Sequence, residues 1–232
     1  MNNPRMVVWN QRSPIIYRYM ERKYVDDFFE KGELRLSSFR RFKKHTDEQR
    51  KDLQEGNVVS CIKGEDFTVY GRTEHATNAL IMSASLLYED RLFEAFDVDD
   101  CFAINNAPQF GLEICKKIPH CVAGLEGSCV YVEKRVIESD SSHLNAQDFT
   151  IDHGNNTEPV TKPTELTQEE MNRKFGEQFK SVLGDDVIFL KEKNYSSQLE
   201  YRLVWFLELD MEAPESLDIV CPEAIQFCTR IT

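Results

Sequence analysis

The sequence predicts an α+β fold whose core is a mostly antiparallel β-sheet carrying a few helices. Three observations lead there. Short stretches rich in β-branched and aromatic residues recur along the chain, the helical patterns between them are few and short, and the last third is strand-like almost throughout. With 232 residues, 41% of them hydrophobic, and 15 phenylalanines, the chain has material for one large core, so it reads as a single domain over residues 1–232.

Residues 14–19 open on a proline and continue Ile15-Ile16-Tyr17-Arg18-Tyr19, a strand pattern. Residues 21–31 place Tyr24, Val25, Phe28 and Phe29 at helical spacing, with Gly32 as the C-terminal cap. The alternation from Leu34 to Phe39 predicts a second strand. This strand–helix–strand unit spans about 26 residues, fewer than the roughly 30 a nucleotide-binding βαβ unit needs. No Gly-rich phosphate loop occurs, which excludes the Rossmann and P-loop readings. Further strands are expected at 58–62, at 79–85 and from Cys129 onward, with helices over 90–96 and 108–117. Residues 138–170 turn polar and are expected to form a surface insertion or lid. A helix follows over 168–182, with Thr167 as its N-cap and Glu169 and Glu170 in its first turn. The remaining strands are expected at 187–190, 199–209, 217–221 and 224–231.

The net charge of −12 speaks against non-specific binding to nucleic acid, which needs a basic face to displace counterions. No apolar run approaches the roughly 20 residues that cross a bilayer, and the first residues lack a signal-peptide pattern. The expectation is a cytoplasmic protein without membrane partners. Seven scattered cysteines, odd in number and without C-x-x-C spacing, fit that compartment as thiols. One local basic strip stands out: Arg35, Arg40, Arg41, Lys43, Lys44, Arg50 and Lys51. It reads as a solvated loop or as a phosphate-facing rim.

Four polar constellations could carry chemistry. In Tyr17-Arg18-Tyr19, alternation turns Arg18 away from both tyrosines, and its planar fork suits a phosphate, a carboxylate or an internal ion pair. Ser83 and Ser85 put two hydroxyls on one face of an apolar strand, leaving room for a flat ring or simply packing closely. Gln198, Glu200 and Arg202 are expected on one face of a late strand, Leu199, Tyr201, Leu203 and Trp205 on the other. A carboxylate and an amide so placed can hold a ribose hydroxyl and stabilise a developing oxocarbenium ion. The alternative is a charge ladder of Glu200 with Arg202 or Lys191. Finally, Asp52 and Glu55 form a pair that could bind a metal or belong to a capped, solvated loop. His143 and His153 have no ligand spacing, and neither G-x-S-x-G nor H-E-x-x-H occurs.

The order of these motifs resembles a widespread bacterial family of unassigned function associated with phage defence or abortive infection. The resemblance rests on Tyr17-Arg18-Tyr19, the helix running into Gly32 and Ser37-Ser38-Phe39, Asp52-x-x-Glu55-Gly56, and Leu199 to Val204. A more distant resemblance is to the ADP-ribosyltransferase fold. It implies NAD as substrate, with Arg18 as the phosphate contact beside Tyr17, Tyr19 and Arg40. Ser83 or Ser85 would be the nicotinamide-side hydroxyl, and Gln198 and Glu200 a Gln-x-Glu pair in which Glu200 holds the ribose. Three readings follow: an NAD-dependent ADP-ribosyltransferase or NAD-degrading effector with an unknown macromolecular acceptor, a non-catalytic module sensing a nucleotide or phage protein, and a metal-dependent nuclease built on Asp52 and Glu55.

Overall fold

The opening strand–helix–strand unit forms as its pattern predicts. In the computed structural model, which describes residues 14–44, 57–63, 68–134, 136–140, 150–152, 157–159 and 185–231, it comprises β1 (Ile16–Met20), α1 (Arg22–Lys31) and β2 (Glu33–Ser38). α1 buries Val25 and Phe28, three residues apart on one face, and stops at Gly32. That glycine is left-handed (φ 79°), and its N–H donates to the carbonyls of Asp27 and Phe28.

There follow α2 (Phe39–Lys44), β3 (Asn57–Lys63), β4 (Thr68–Glu74), β5 (Ala79–Ser85), α3 (Asp90–Phe96), β6 (Asp100–Ile104) and α4 (Ala107–Cys115). The chain continues with β7 (Cys121–Ser128), β8 (Val130–Val132), β9 (Val136–Asp140), β10 (Thr150–Asp152), β11 (Thr157–Pro159), β12 (Leu190–Glu192), β13 (Glu200–Leu207), β14 (Ser216–Val220) and β15 (Cys228–Arg230).

Some expectations need correction. The strand expected at 187–190 is a 3-10 turn, Asp185–Phe189, leading into β12. The strand expected at 224–231 begins as another 3-10 turn, Pro222–Phe227, because proline at a helix start has its φ preset and lacks only an N–H that would go unbonded. β6 and β7 carry no expected element. β6 is buried at every position and so shows no alternation, while β7 is largely exposed and interrupted by Gly124 and Gly127. The helix expected over 168–182 and much of the polar stretch 138–170 lie outside the described residues. The described parts of that stretch belong to β9 and to the antiparallel pair β10–β11.

The architecture is mixed α+β with a mostly antiparallel sheet. The main sheet has eight strands in the order β14-β2-β5-β1-β6-β15, with β13 paired to β5 and β7 to β13, and every pairing in it is antiparallel. β13 lines β5 from Glu200↔Ser85 to Phe206↔Ala79, the whole length of that strand. A strand has two edges, so the other partners of β5 share the one that remains. β1 meets it at Tyr17↔Ser85, and β2 at Ser37↔Ile81 and Ser38↔Leu80. Neither is in register with Ser83. The sheet therefore splits there into two arms, β1-β6-β15 and β2-β14.

Alternation assigns the two faces. Leu80, Met82 and Ala84 of β5, with Tyr201, Leu203 and Trp205 of β13, enter the main core under α1 and α4. Phe28 stacks on Phe102 there, with ring centroids 4.8 Å apart. Each such buried ring contributes about 2 kcal/mol of transfer free energy. On the opposite face Ala79, Ile81 and Val204 join Phe39 and Ile188 in a smaller cluster. Ser83, Ser85, Glu200 and Arg202 continue that second face toward the split.

Gly32 lets the end of α1 pack directly against the backbone that follows β14. A Cβ on it would stand 2.3 Å from the Pro222 nitrogen and 2.5 Å from the Cys221 carbonyl carbon, both backbone, in addition to the left-handed strain. Gly32→Ala is expected to cost about 2–4 kcal/mol, read as a lower urea midpoint at unchanged slope.

Candidate functional site

The split opens into a cleft of about 560 Å³. Tyr17, Arg18 and Met20 line one arm, and Leu34, Arg35 and Ser37 the other. Ser83 and Ser85 sit where the arms meet, and Lys191, Gln198, Glu200 and Arg202 form the floor, with Tyr24 and Asp27 of α1 also on the wall. Backbone groups at a split need partners. Arg18 provides one, donating from Nη1 to the Ser83 carbonyl at 2.5 Å. Across the other arm Arg35 grips Asp218 through two bonds of 2.6 and 2.9 Å, with the two residues in register on β2 and β14.

Glu200 is the chemical centre of the floor. It is only 6% exposed, yet three side chains engage its carboxylate. Oε1 accepts from Ser83 Oγ at 2.8 Å and from Arg202 Nε at 2.6 Å, and Oε2 accepts from Lys191 Nζ. Burial alone would raise the pKa of this carboxyl, but the Arg202 and Lys191 charges outweigh it and hold Glu200 well below the usual carboxylate range. Its backbone N–H donates to the Tyr131 hydroxyl at 2.7 Å. Burial pushes that phenol up to about 12. The two cations have further supports. Arg202, 1% exposed, donates from Nη1 to the Ile188 carbonyl at 2.5 Å and lies 5.8 Å over the Phe39 ring. Lys191, 7% exposed, donates to Gln198 Oε1 at 2.9 Å and stands 4.9 Å over Tyr195.

Ser83, Ser85, Gln198, Glu200, Tyr17, Arg18 and Tyr19 all come together on the cleft lining. Their roles differ. Ser85 Oγ is occupied by the fold, donating to the Gln198 carbonyl at 2.7 Å and accepting from the Leu87 N–H at 3.0 Å. Tyr19 anchors the turn after β5, its hydroxyl donating to the Leu87 carbonyl at 2.9 Å and accepting from the Glu89 N–H at 2.8 Å. Burial pushes its phenol up to about 12. Tyr17 packs on Tyr88 with ring centroids 5.6 Å apart.

Two expectations change. Gln198 and Glu200 are not alternate residues of one strand. Gln198 ends the 3-10 turn Lys193–Gln198, and Leu199 is left-handed (φ 41°), so Lys191 rather than strand periodicity brings amide and carboxylate together. Arg40 does not line the cleft. It donates to Glu212 Oε2 at 3.0 Å and to the Ala213 carbonyl at 2.8 Å, and Arg41, about 100° further round α2, faces the cleft instead. The charge pairing of Glu200 with Arg202 and Lys191, expected as the structural alternative, is present in full. Tyr131 was missed, since nothing local in Val130-Tyr131-Val132 announces its bond to β13. Asp52 and Glu55 lie outside the described residues, and among those residues no three His, Cys, Asp or Glu side chains gather as a metal site.

The clamp makes a pH prediction. A carboxyl with a lowered folded-state pKa adds stability that is complete above its ordinary value of 4.5 and fades as pH falls toward the folded value. Lys191→Met is expected to cost about 3 kcal/mol at neutral pH. The gap to wild type should narrow in urea titrations taken progressively below that value; a gap that stays constant with pH would show that Lys191 does not act through the Glu200 charge.

No helix among the described residues is long and apolar enough to cross a membrane. Comparison with protein-family models, with curated proteins and with solved structures finds no match for this chain.

Proposed function

We propose that the chain binds NAD in the cleft and cleaves its nicotinamide–ribose bond, passing ADP-ribose to a macromolecular acceptor or to water. The observation that carries this reading is the 2.8 Å contact between Ser83 Oγ and Glu200 Oε1 on the cleft floor. Glycosidic cleavage builds positive charge on the ribose, and a fixed carboxylate is the group that stabilises it. Glu200 is ionised at neutral pH and held at both oxygens on a strand paired along both edges. The cleft falls within the roughly 300–1,000 Å³ of small-molecule sites. Arg18 on its wall offers a guanidinium suited to phosphate, and Tyr17, packed on Tyr88, offers a ring for a flat base. On this reading the split sheet is an ADP-ribosyltransferase-like frame, and the resemblance to the unassigned bacterial family supports a role in anti-phage defence or toxin action.

A second reading keeps the ligand and drops the reaction: the cleft senses a nucleotide without cleaving it. The observation favouring it is the clamp itself, since two cations already match the Glu200 charge and leave less of it for a ribosyl cation.

One experiment separates the two. Purified protein is incubated with NAD, with and without cell lysate as acceptor, and free nicotinamide is measured beside NAD binding by calorimetry. Release that falls about 100-fold or more in Glu200→Gln, with binding retained, supports the transferase or NAD-degrading reading. Binding without release supports the sensor. Neither binding nor release would sink both.

A further inference from the structure

We propose that Cys115 and Cys121 are an oxidation site, a thiol pair that closes reversibly to a disulfide. This stands independently of the cleft. The two sulfurs lie 3.1 Å apart, at the last residue of α4 and the first of β7. Neither side chain is fully buried, so a small oxidant can reach them. Bonded sulfurs stand about 2.05 Å apart, so closure needs a movement of about 1 Å, within the reach of side-chain torsions. The chain between them is short and already folded back: Ile118 and Cys121 are joined by a backbone bond of 3.3 Å, and His120 is left-handed at φ 59°. Cys101, Cys221 and Cys228 instead have carbonyl or carboxylate oxygens as partners.

A hydroperoxide supplies the oxidant. Burial and the sulfur contact with Cys115 push the Cys121 thiol up to about 12; either thiol can attack first, and the balance is the same with the two exchanged. Cys115 Sγ bonds to the terminal peroxide oxygen as the O–O bond breaks, and its proton leaves with the departing alkoxide as an alcohol, or as water from hydrogen peroxide. Cys121 Sγ then attacks the Cys115 sulfur. The S–S bond forms, the S–O bond breaks, and hydroxide departs with the Cys121 proton as water. Two thiols are oxidised by two electrons and one peroxide is reduced; a dithiol reductant reverses the change.

The disulfide would tie α4 to β7 close to the strand that carries Glu200. Cys121 is in register with Leu207 of β13, and α4 accepts the Trp205 indole N–H at the Gly111 carbonyl, 2.9 Å away.

The test treats the full chain with hydrogen peroxide, blocks free thiols with an alkylating agent, and maps tryptic peptides by mass. Lys116 and Lys117 separate the two cysteines, so trypsin leaves a disulfide as the link between their peptides. The expected result is a Cys115–Cys121 cross-link, lighter by two hydrogen atoms, appearing before modification of Cys101, Cys129, Cys221 or Cys228 and lost on reduction. Cys115→Ser and Cys121→Ser should each abolish it, and either variant suffices if the other fails to fold. Both cysteines still alkylated after treatment, or a cross-link that survives in these variants through another cysteine, would overturn the proposal.

Discussion

A β-strand presents hydrogen-bonding groups along two edges, and β5 gives one of them entirely to β13. The remaining edge has seven residues and receives two strands, one at each end. Two strands cannot lie side by side on one edge, so β1 and β2 diverge where they would compete. The space between them is the cleft. No side chain has to be removed to make it. The same constraint explains why an arginine sits at the divergence: the Ser83 carbonyl faces a gap where a ladder partner would stand, and Arg18 fills the need.

The electrostatics of the floor follow from where that gap lies. Glu200 and Arg202 are on the face of β13 turned toward the divergence, two residues apart. A buried carboxylate costs several kcal/mol unless it is matched. One match comes from its own strand. The other comes from Lys191 on β12, which belongs to a separate small ladder paired in parallel with β8. The clamp therefore docks a peripheral two-stranded piece onto the main sheet, and Tyr131 of β8 adds a second tie through the Glu200 backbone. Buried ion pairs of this kind specify an arrangement more than they stabilise it. Here the arrangement specified is the aim of the carboxylate into the cleft.

The parts legible in the sequence are those whose signal is local. β1, α1 and β2 show their faces by alternation and by the Gly32 cap; β5 and β13 show theirs by runs of apolar residues broken by hydroxyls and charges. Ser83 and Glu200 were found because each lies on a strand whose face could be read. Their contact was not readable, since it depends on the register between strands 117 residues apart. Arg40 and Arg41 show the limit from the other side. Read as a loop, the basic strip gave no phase; as a helix, α2 sends its two arginines to different places. Gln198 was assigned to a strand because alternation runs through it, and the left-handed Leu199 that breaks the run leaves no mark in composition.

Gly32 also has a bearing on how the molecule assembles. Its carbonyl accepts the Cys221 N–H at 2.8 Å, linking the end of the first helix to a residue nearly two hundred positions later. β2 finds its outer neighbour in β14, and β6 finds its own in β15. Both arms of the split are thus completed by strands far along the chain, β14 and β15. Closing such long loops costs entropy before any contact repays it, which places this topology among the slow folders. Until β14 and β15 arrive, β2 and β6 present open edges, and that interval is when the nascent chain is most exposed to pairing with the wrong partner.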